Sequence, residues 1–269
     1  MNYHSDEWIM ERVREHYNEA LEHFPEDRIV GIFYQGSGNY GLDYEGSDVD
    51  TKLIVTPTFE DIAMNKKAVS TTHIRENDEH IDFKDIRLYI QTFRKQNLNF
   101  LEILFTKYSI INPMYWSEWN RLVEAREAIA HYSPMQAIKS MKGIAMKKYH
   151  AMEHHYPARM EWINKFSYDP KQLHHLIRVR EYIERYIDGE SYEDCLISMQ
   201  PEYLQRVKVG FHNLDDARII ANNSIERINN ICNNYLETCS KEVNQDVDTL
   251  LDDVQYNIMK IAIKKEIGD

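Results

Sequence analysis

The stretch YQGSGNYGLDYEGSDVDTKLIV, residues 34–55, decides how this chain is read. An apolar, β-branched run at 28–35 (RIVGIFYQ), bounded by Pro25 and Gly36, predicts a strand that enters Gly36-Ser37-Gly38. A loop follows, then Ser47-Asp48-Val49-Asp50 opens a second strand, 49–55, stopped by Pro57. Glycines let a backbone turn sharply and approach a ligand closely. Successive amides at such a turn, with a serine hydroxyl beside them, suit a phosphate. Asp48 and Asp50 are two apart on a strand, so both carboxylates point to one face. Adjacent carboxylates repel unless a divalent cation lies between them. A phosphate-binding turn next to paired aspartates points to a metal-bound nucleoside triphosphate, with Gly36 and Ser37 on the phosphates and Asp48 and Asp50 on a divalent cation.

Working outward, 68–75 and 78–84 predict a third and a fourth strand, and helices are expected at about 5–23, 58–65, 85–97 and 99–107. In the fourth strand His80, Asp82 and Lys84 share one side while Ile81 and Phe83 take the other. An aspartate inside a strand runs against propensity, so Asp82 is the expected third carboxylate. Asp85 is the alternative, although it also reads as the N-cap of the helix beginning IRLYIQ. After Pro113 nearly everything has helical period: 115–131, 134–155, 170–187, 201–208, 211–241 and 244–266, with Asp169-Pro170 as a strong helix start. The expected fold is α+β, a small mixed sheet with flanking helices at 1–112 followed by an all-helical domain at 113–269.

Composition limits the function. With 32 Lys and Arg against 44 Asp and Glu the formal charge is −12, which argues against non-specific coating of DNA or an anionic membrane. No apolar run approaches a membrane span, and the charged, amphipathic N-terminal stretch is unlike a signal peptide. Three cysteines without paired spacing argue against a disulfide framework or a zinc finger, so a cytoplasmic setting is expected. Residues 139–185 carry ten Lys or Arg against five Asp or Glu. This local surplus suits a bound polyanion, and a solvated helical face is the alternative.

Strand, Gly-Ser, about ten residues, Asp-x-Asp and a later strand aspartate together resemble the DNA polymerase β-like nucleotidyltransferase superfamily. The chain is especially similar to a bacterial and phage group that includes a polymerase-β-like protein linked to RNA repair. Its Gly-Ser, Tyr-Gly and Ser-Asp-x-Asp pattern matches Gly36, Ser37, Tyr40, Gly41, Ser47, Asp48 and Asp50. An Asn-x-Asn-x-x-Glu-x-Leu segment resembles Asn97, Asn99, Glu102 and Leu104, and a Tyr-Asp-x-Lys…His-x-x-Arg segment resembles Tyr168, Asp169, Lys171, His175 and Arg178. Many relatives carry Arg just after Gly-Ser, where this chain has Gly38-Asn39.

The resemblance implies a Mg2+-dependent transfer of a nucleoside monophosphate, AMP from ATP by family habit, to a hydroxyl of an RNA end, a protein or a small molecule. Asp48, Asp50 and Asp82 would be the catalytic and metal-binding set. Lys171, His174, His175 and Arg178 fall at i, i+3, i+4 and i+7 and so share a helical face. The resemblance makes Lys171, His175 and Arg178 nucleotide contacts, facing the carboxylates across a cleft. Asn99 with Glu102 also reads as a capping box. The competing reading is a nucleotidyltransferase-like antitoxin or regulator that clasps a protein partner. On either reading the acidic C-terminal helices (VNQDVDTLLDDV, 243–254) are an expected surface for an oligomer or partner.

Overall fold

A computed structural model describes residues 3–268. The chain divides into two compact units, one containing residues up to Ser133 together with those from Glu242 onward, the other Pro134–Lys241.

The first unit begins with α1 (Asp6–Ala20), capped by Ser5, whose side chain accepts the Trp8 N–H. Then come β1 (Ile29–Gln35), β2 (Asp50–Val55), α2 (Phe59–Ala63), β3 (Ser70–Ile74), β4 (His80–Asp85), α3 (Ile86–Arg94), α4 (Leu98–Leu101), β5 (Ser109–Ile111), α5 (Trp116–Glu124) and α6 (Arg126–Ala130). The five strands form one mixed sheet in the order β3-β4-β2-β1-β5, in which only the β2–β4 pair is parallel.

Strand alternation divides the side chains between two faces. Ile32, Tyr34, Leu53, Val55, Ile81 and Phe83 meet Ile9, Val13 and Ala20 of α1 in a closed apolar core. The other face carries Phe33, Gln35, Asp50, Lys52, His80, Asp82 and Lys84. At its β1 end Phe33 packs on Trp119, with ring centroids 4.4 Å apart.

The second unit is helical: α7 (Pro134–Ala151), α8 (Met160–Phe166), α9 (Pro170–Ile187), α10 (Tyr192–Leu196), α11 (Pro201–Lys208) and α12 (Leu214–Thr238). α9 is its centre, packed by α7, α10, α11 and α12. Its start is as the sequence predicts: Asp169 caps the helix, accepting the Lys171 N–H at 3.0 Å, with Pro170 in the first turn.

The last helix, α13 (Gln245–Ile267), belongs to the first unit and packs on α3 and α5. The boundary expected at 112/113 therefore falls at 133/134, with a return at 242. The helix buries Val247, Leu251, Val254, Ile258 and Ala262, and a set of polar anchors accompanies that apolar stripe. Arg94 of α3 binds Asp248 (2.7 Å) and Asp252 (2.6 Å), and the Tyr132 hydroxyl donates to Asp248 at 3.0 Å. Part of the acidic stretch expected to face a partner is thus spent inside the unit.

Three local expectations are corrected. The single helix at 115–131 breaks at Ala125, where φ −93° and ψ 9° leave helical geometry. The 99–107 helix is the short α4 followed by a 3-10 turn at Glu102–Leu104, and its N-cap is Asn97, not Asn99. β5, α8 and α10 were not foreseen, being too short to display a period. Among the described residues no helix is long and apolar enough to cross a membrane.

Candidate functional site

The Gly36-Ser37-Gly38 turn is built on the ring of Tyr34, which is 1% exposed. The Gly38 N–H donates to the Tyr34 hydroxyl at 3.0 Å. A Cβ on Gly36 would lie 2.6 Å from that hydroxyl oxygen. Glycine is needed here for close approach, since the backbone at Gly36 is extended. Gly36→Ala is expected to cost about 1–3 kcal/mol through overpacking, read as a lower melting temperature. Unchanged melting would mean that Tyr34 yields. Asn39, standing where many relatives have Arg, is used internally: it donates to the Tyr34 carbonyl (3.2 Å) and accepts from Thr106 (2.6 Å).

Ser47 links this turn to the aspartates. Its hydroxyl accepts the Tyr44 N–H (3.0 Å) and lies 3.4 Å from the Ser37 hydroxyl. Strand β2 starts only at Asp50, so Asp48 stands exposed just before it. The two carboxylates are near enough to affect each other. Burial and then the charge of Asp48 push the Asp50 carboxyl above its usual range, against hydrogen bonds from the His80 backbone N–H (2.9 Å) and ring Nδ1 (3.0 Å).

The parallel β2–β4 register sets what stands beside each acid. His80 neighbours Asp50, and Asp82 pairs with Lys52. Asp82 shares the Asp50 face, but its carboxylate is engaged by the Lys52 ammonium and the Thr72 hydroxyl. Burial alone would raise the Asp82 carboxyl, but the charge and hydrogen bond of Lys52 hold it below its usual value. The alternative, Asp85, has the opposite strand parity. It is 1% exposed and bound by the Arg87 N–H (2.8 Å) and guanidinium (2.9 and 2.6 Å) as the cap of α3.

Behind the aspartates lies a group the sequence reading passed over. Glu79, 4% exposed, accepts the Val49 N–H (3.2 Å) between the two aspartates. It also binds Arg12, Arg75 (2.8 Å), Asn77 (2.9 Å) and His16 (3.0 Å). His16, fully buried, reaches Thr51 of β2 at 2.9 Å through its other ring nitrogen. The available signal was Arg12 and His16, four apart on the apolar side of α1, which demanded a buried acid.

Among the described residues no group of three or more His, Cys, Asp or Glu is arranged to hold a metal ion. The donor set nevertheless fits Mg2+. That ion prefers oxygen, keeps several waters and commonly takes one or two carboxylates plus substrate phosphates rather than a protein cage. Asp48 and Asp50 would be such a pair, whereas the Asp82 carboxylate is held by Lys52. No protein-family model matches the chain, and no curated protein matches it.

Lys171, His175 and Arg178 lie in the second unit, on α9. All three are half-buried, while His174, on the same turn, is 2% exposed and hydrogen-bonded to the Leu204 carbonyl at 2.9 Å. Burial lowers its ring to about pKa 3, so it packs as a neutral core group. Burial also lowers His175 well below its usual value, helped by the charges of Lys148, Lys171 and Arg178.

Proposed function

We propose that the first unit is a Mg2+-dependent nucleotidyltransferase that moves a nucleoside monophosphate, AMP in the leading case, from a triphosphate to a hydroxyl acceptor on RNA or protein. The carrying observation is the joining of the Gly36-Ser37 turn to Asp48 and Asp50 through the Ser37–Ser47 contact. The Ser37 hydroxyl and the carboxylates thereby share one end of the β1–β2 pair. A bound Mg2+ on Asp48 and Asp50 would neutralise phosphate charge and acidify the acceptor hydroxyl.

The chain's own part is positional and electrostatic. The Ser37 hydroxyl holds the terminal phosphates, since the Gly38, Asn39 and Tyr40 amides of the turn are spent internally on Tyr34, Gly36 and Ser37. His80 orients Asp50, and Glu79 fixes the backbone between the aspartates. Asp82 is the proposed third carboxylate, as metal ligand or proton acceptor. The acceptor oxygen bonds to the α-phosphorus as the bond from that phosphorus to the β-bridging oxygen breaks. Pyrophosphate leaves with the electron pair, and the acceptor proton passes to a carboxylate.

Mg·NTP at a hundred times its dissociation constant should stabilise the protein by about 2.7 kcal/mol, seen as a rise in melting temperature. Ser37→Ala, losing one hydroxyl contact to a charged phosphate, should weaken NTP binding about tenfold or more. Incubation with NTPs labelled at the α-phosphate, with RNA and protein acceptors in separate reactions, tests transfer. No shift with any NTP and Mg2+ or Mn2+ at millimolar concentration would overturn the reading in favour of a module that binds a protein partner.

A further inference from the structure

On the sheet face that carries Asp50, the strands continue into a strip of opposite charge. Lys52 of β2 and Lys84 of β4 lie farther along the two strands than Asp50 and its neighbour His80, with Asp82 beside Lys52. Both ammoniums lie over one ring, that of Phe100 in α4, at 4.7 Å and 4.5 Å from its centre. α4 is tied to this face partly by the side chain of Gln35, which stands opposite Asp50 and donates to the Asn99 carbonyl at 2.8 Å. Lys52 is 6% exposed. An ammonium with so little water requires a counter-charge, yet among the described residues the two lysines share one ion-paired carboxylate, Asp82, bonded to Lys52. The strip thus carries one surplus positive charge next to the surplus negative charge of Asp48 and Asp50.

We infer that Lys52 and Lys84 form the grip for the polyphosphate chain of the nucleoside triphosphate, with Asp82 as the exchangeable counter-ion that holds Lys52 until phosphate replaces it. This rests on the nucleotidyltransferase reading and specifies how that site takes its substrate. A metal–triphosphate is itself polar along its length, with cation at one end and uncompensated phosphate oxygens at the other. A strip running from carboxylates to ammoniums matches that order. The exchange also releases the Asp82 carboxylate toward the Asp50 end of the face when the substrate arrives. Lys52 is therefore a binding residue, and Asp82 changes partner with occupancy.

The probe is inorganic tripolyphosphate, titrated calorimetrically into the full chain, once with EDTA and once with Mn2+. Lys52→Met and Lys84→Met should each weaken binding about tenfold in both arms, equivalent to about 1.4 kcal/mol. Asp82→Asn should tighten binding several-fold in EDTA, because Lys52 is freed, and lose that advantage in Mn2+. Melting curves of each variant establish that it is folded, and Lys84→Met, outside the ion pair, serves if Lys52→Met is not. Wild-type affinity in the folded lysine variants, or weaker binding by Asp82→Asn in EDTA, overturns the inference. Titration of Mn2+ and Mn·ATP into the wild type separates the two failures. Retained Mn·ATP binding with indifferent lysines sinks only the grip, whereas no Mn·ATP binding sinks the nucleotidyltransferase reading and the grip with it.

Discussion

Asp50→Asn is expected to lower nucleotide transfer at least about a thousandfold, roughly 4 kcal/mol of barrier, while leaving the protein folded. Asparagine keeps the shape and an oxygen that accepts from His80 (2.9 Å to the backbone N–H), so the register beside β4 has no reason to change. What it loses is the charge that holds a cation. The same change should hold or raise metal-free stability. Burial and then Asp48 raise the Asp50 carboxyl, so ionisation of this group opposes folding, and that cost grows as pH rises past its unfolded value. Removing the charge removes the cost at neutral pH. Turnover and melting, measured together with and without Mg2+, check both halves. Asp48→Asn should behave alike. Normal turnover by Asp50→Asn would remove the paired aspartates from the mechanism.

Glu79→Ala should have the largest effect on stability, about 3–5 kcal/mol, the range expected when one partner of a buried ion pair is removed. It would leave the buried His16 with no acid beside it, and Arg12 and Arg75 with only the more exposed Glu15 and Glu19 as partners. The Val49 N–H would also lose its acceptor, so nucleotide binding should fall in any folded variant. Burial opposes ionisation of Glu79, but hydrogen bonds from His16, Arg12 and Asn77 outweigh it and hold the carboxyl far below its ordinary value of 4.5. A depressed carboxyl stabilises the fold above its unfolded pKa, and this contribution fades as pH falls below about 4.5. Denaturant titrations between pH 3 and 7 should show the wild type losing stability steeply in that acid window and Glu79→Gln losing less. Identical melting of Glu79→Ala and wild type would show that the cluster carries no net stability.

The strands and the site loop were legible because their signals are local. Ile29–Gln35 and Asp50–Val55 are apolar runs bounded by turn residues, and Gly36-Ser37-Gly38 marks its own turn. Parity alone placed Asp82 with His80 and Lys84, because alternation is a property of any strand. The long helices α7, α9, α12 and α13 were readable for the same reason: their period repeats over four or more turns.

Register, partner choice and chain return are different, because each depends on residues far apart in sequence. Nothing local says that β2 and β4 run parallel with Asp82 beside Lys52 and His80 beside Asp50. Nor does the spacing of Arg12 and His16 name Glu79, more than sixty residues on, as their acid. The last helix reads as more of the helical domain until Arg94 is seen to bind Asp248 and Asp252. The sequence by itself determined the α+β class, the strand-turn-strand frame and the place of Asp48 and Asp50 at the entry to β2. Only the tertiary structure decided which charges meet: it buried Glu79 behind the turn, gave Asp82 to Lys52 and Asp85 to Arg87, and returned α13 to the first unit. The physical reason is that periodicity reports which face a side chain takes, whereas ion pairs form where separate elements bring buried charges together and desolvation requires each to find a partner.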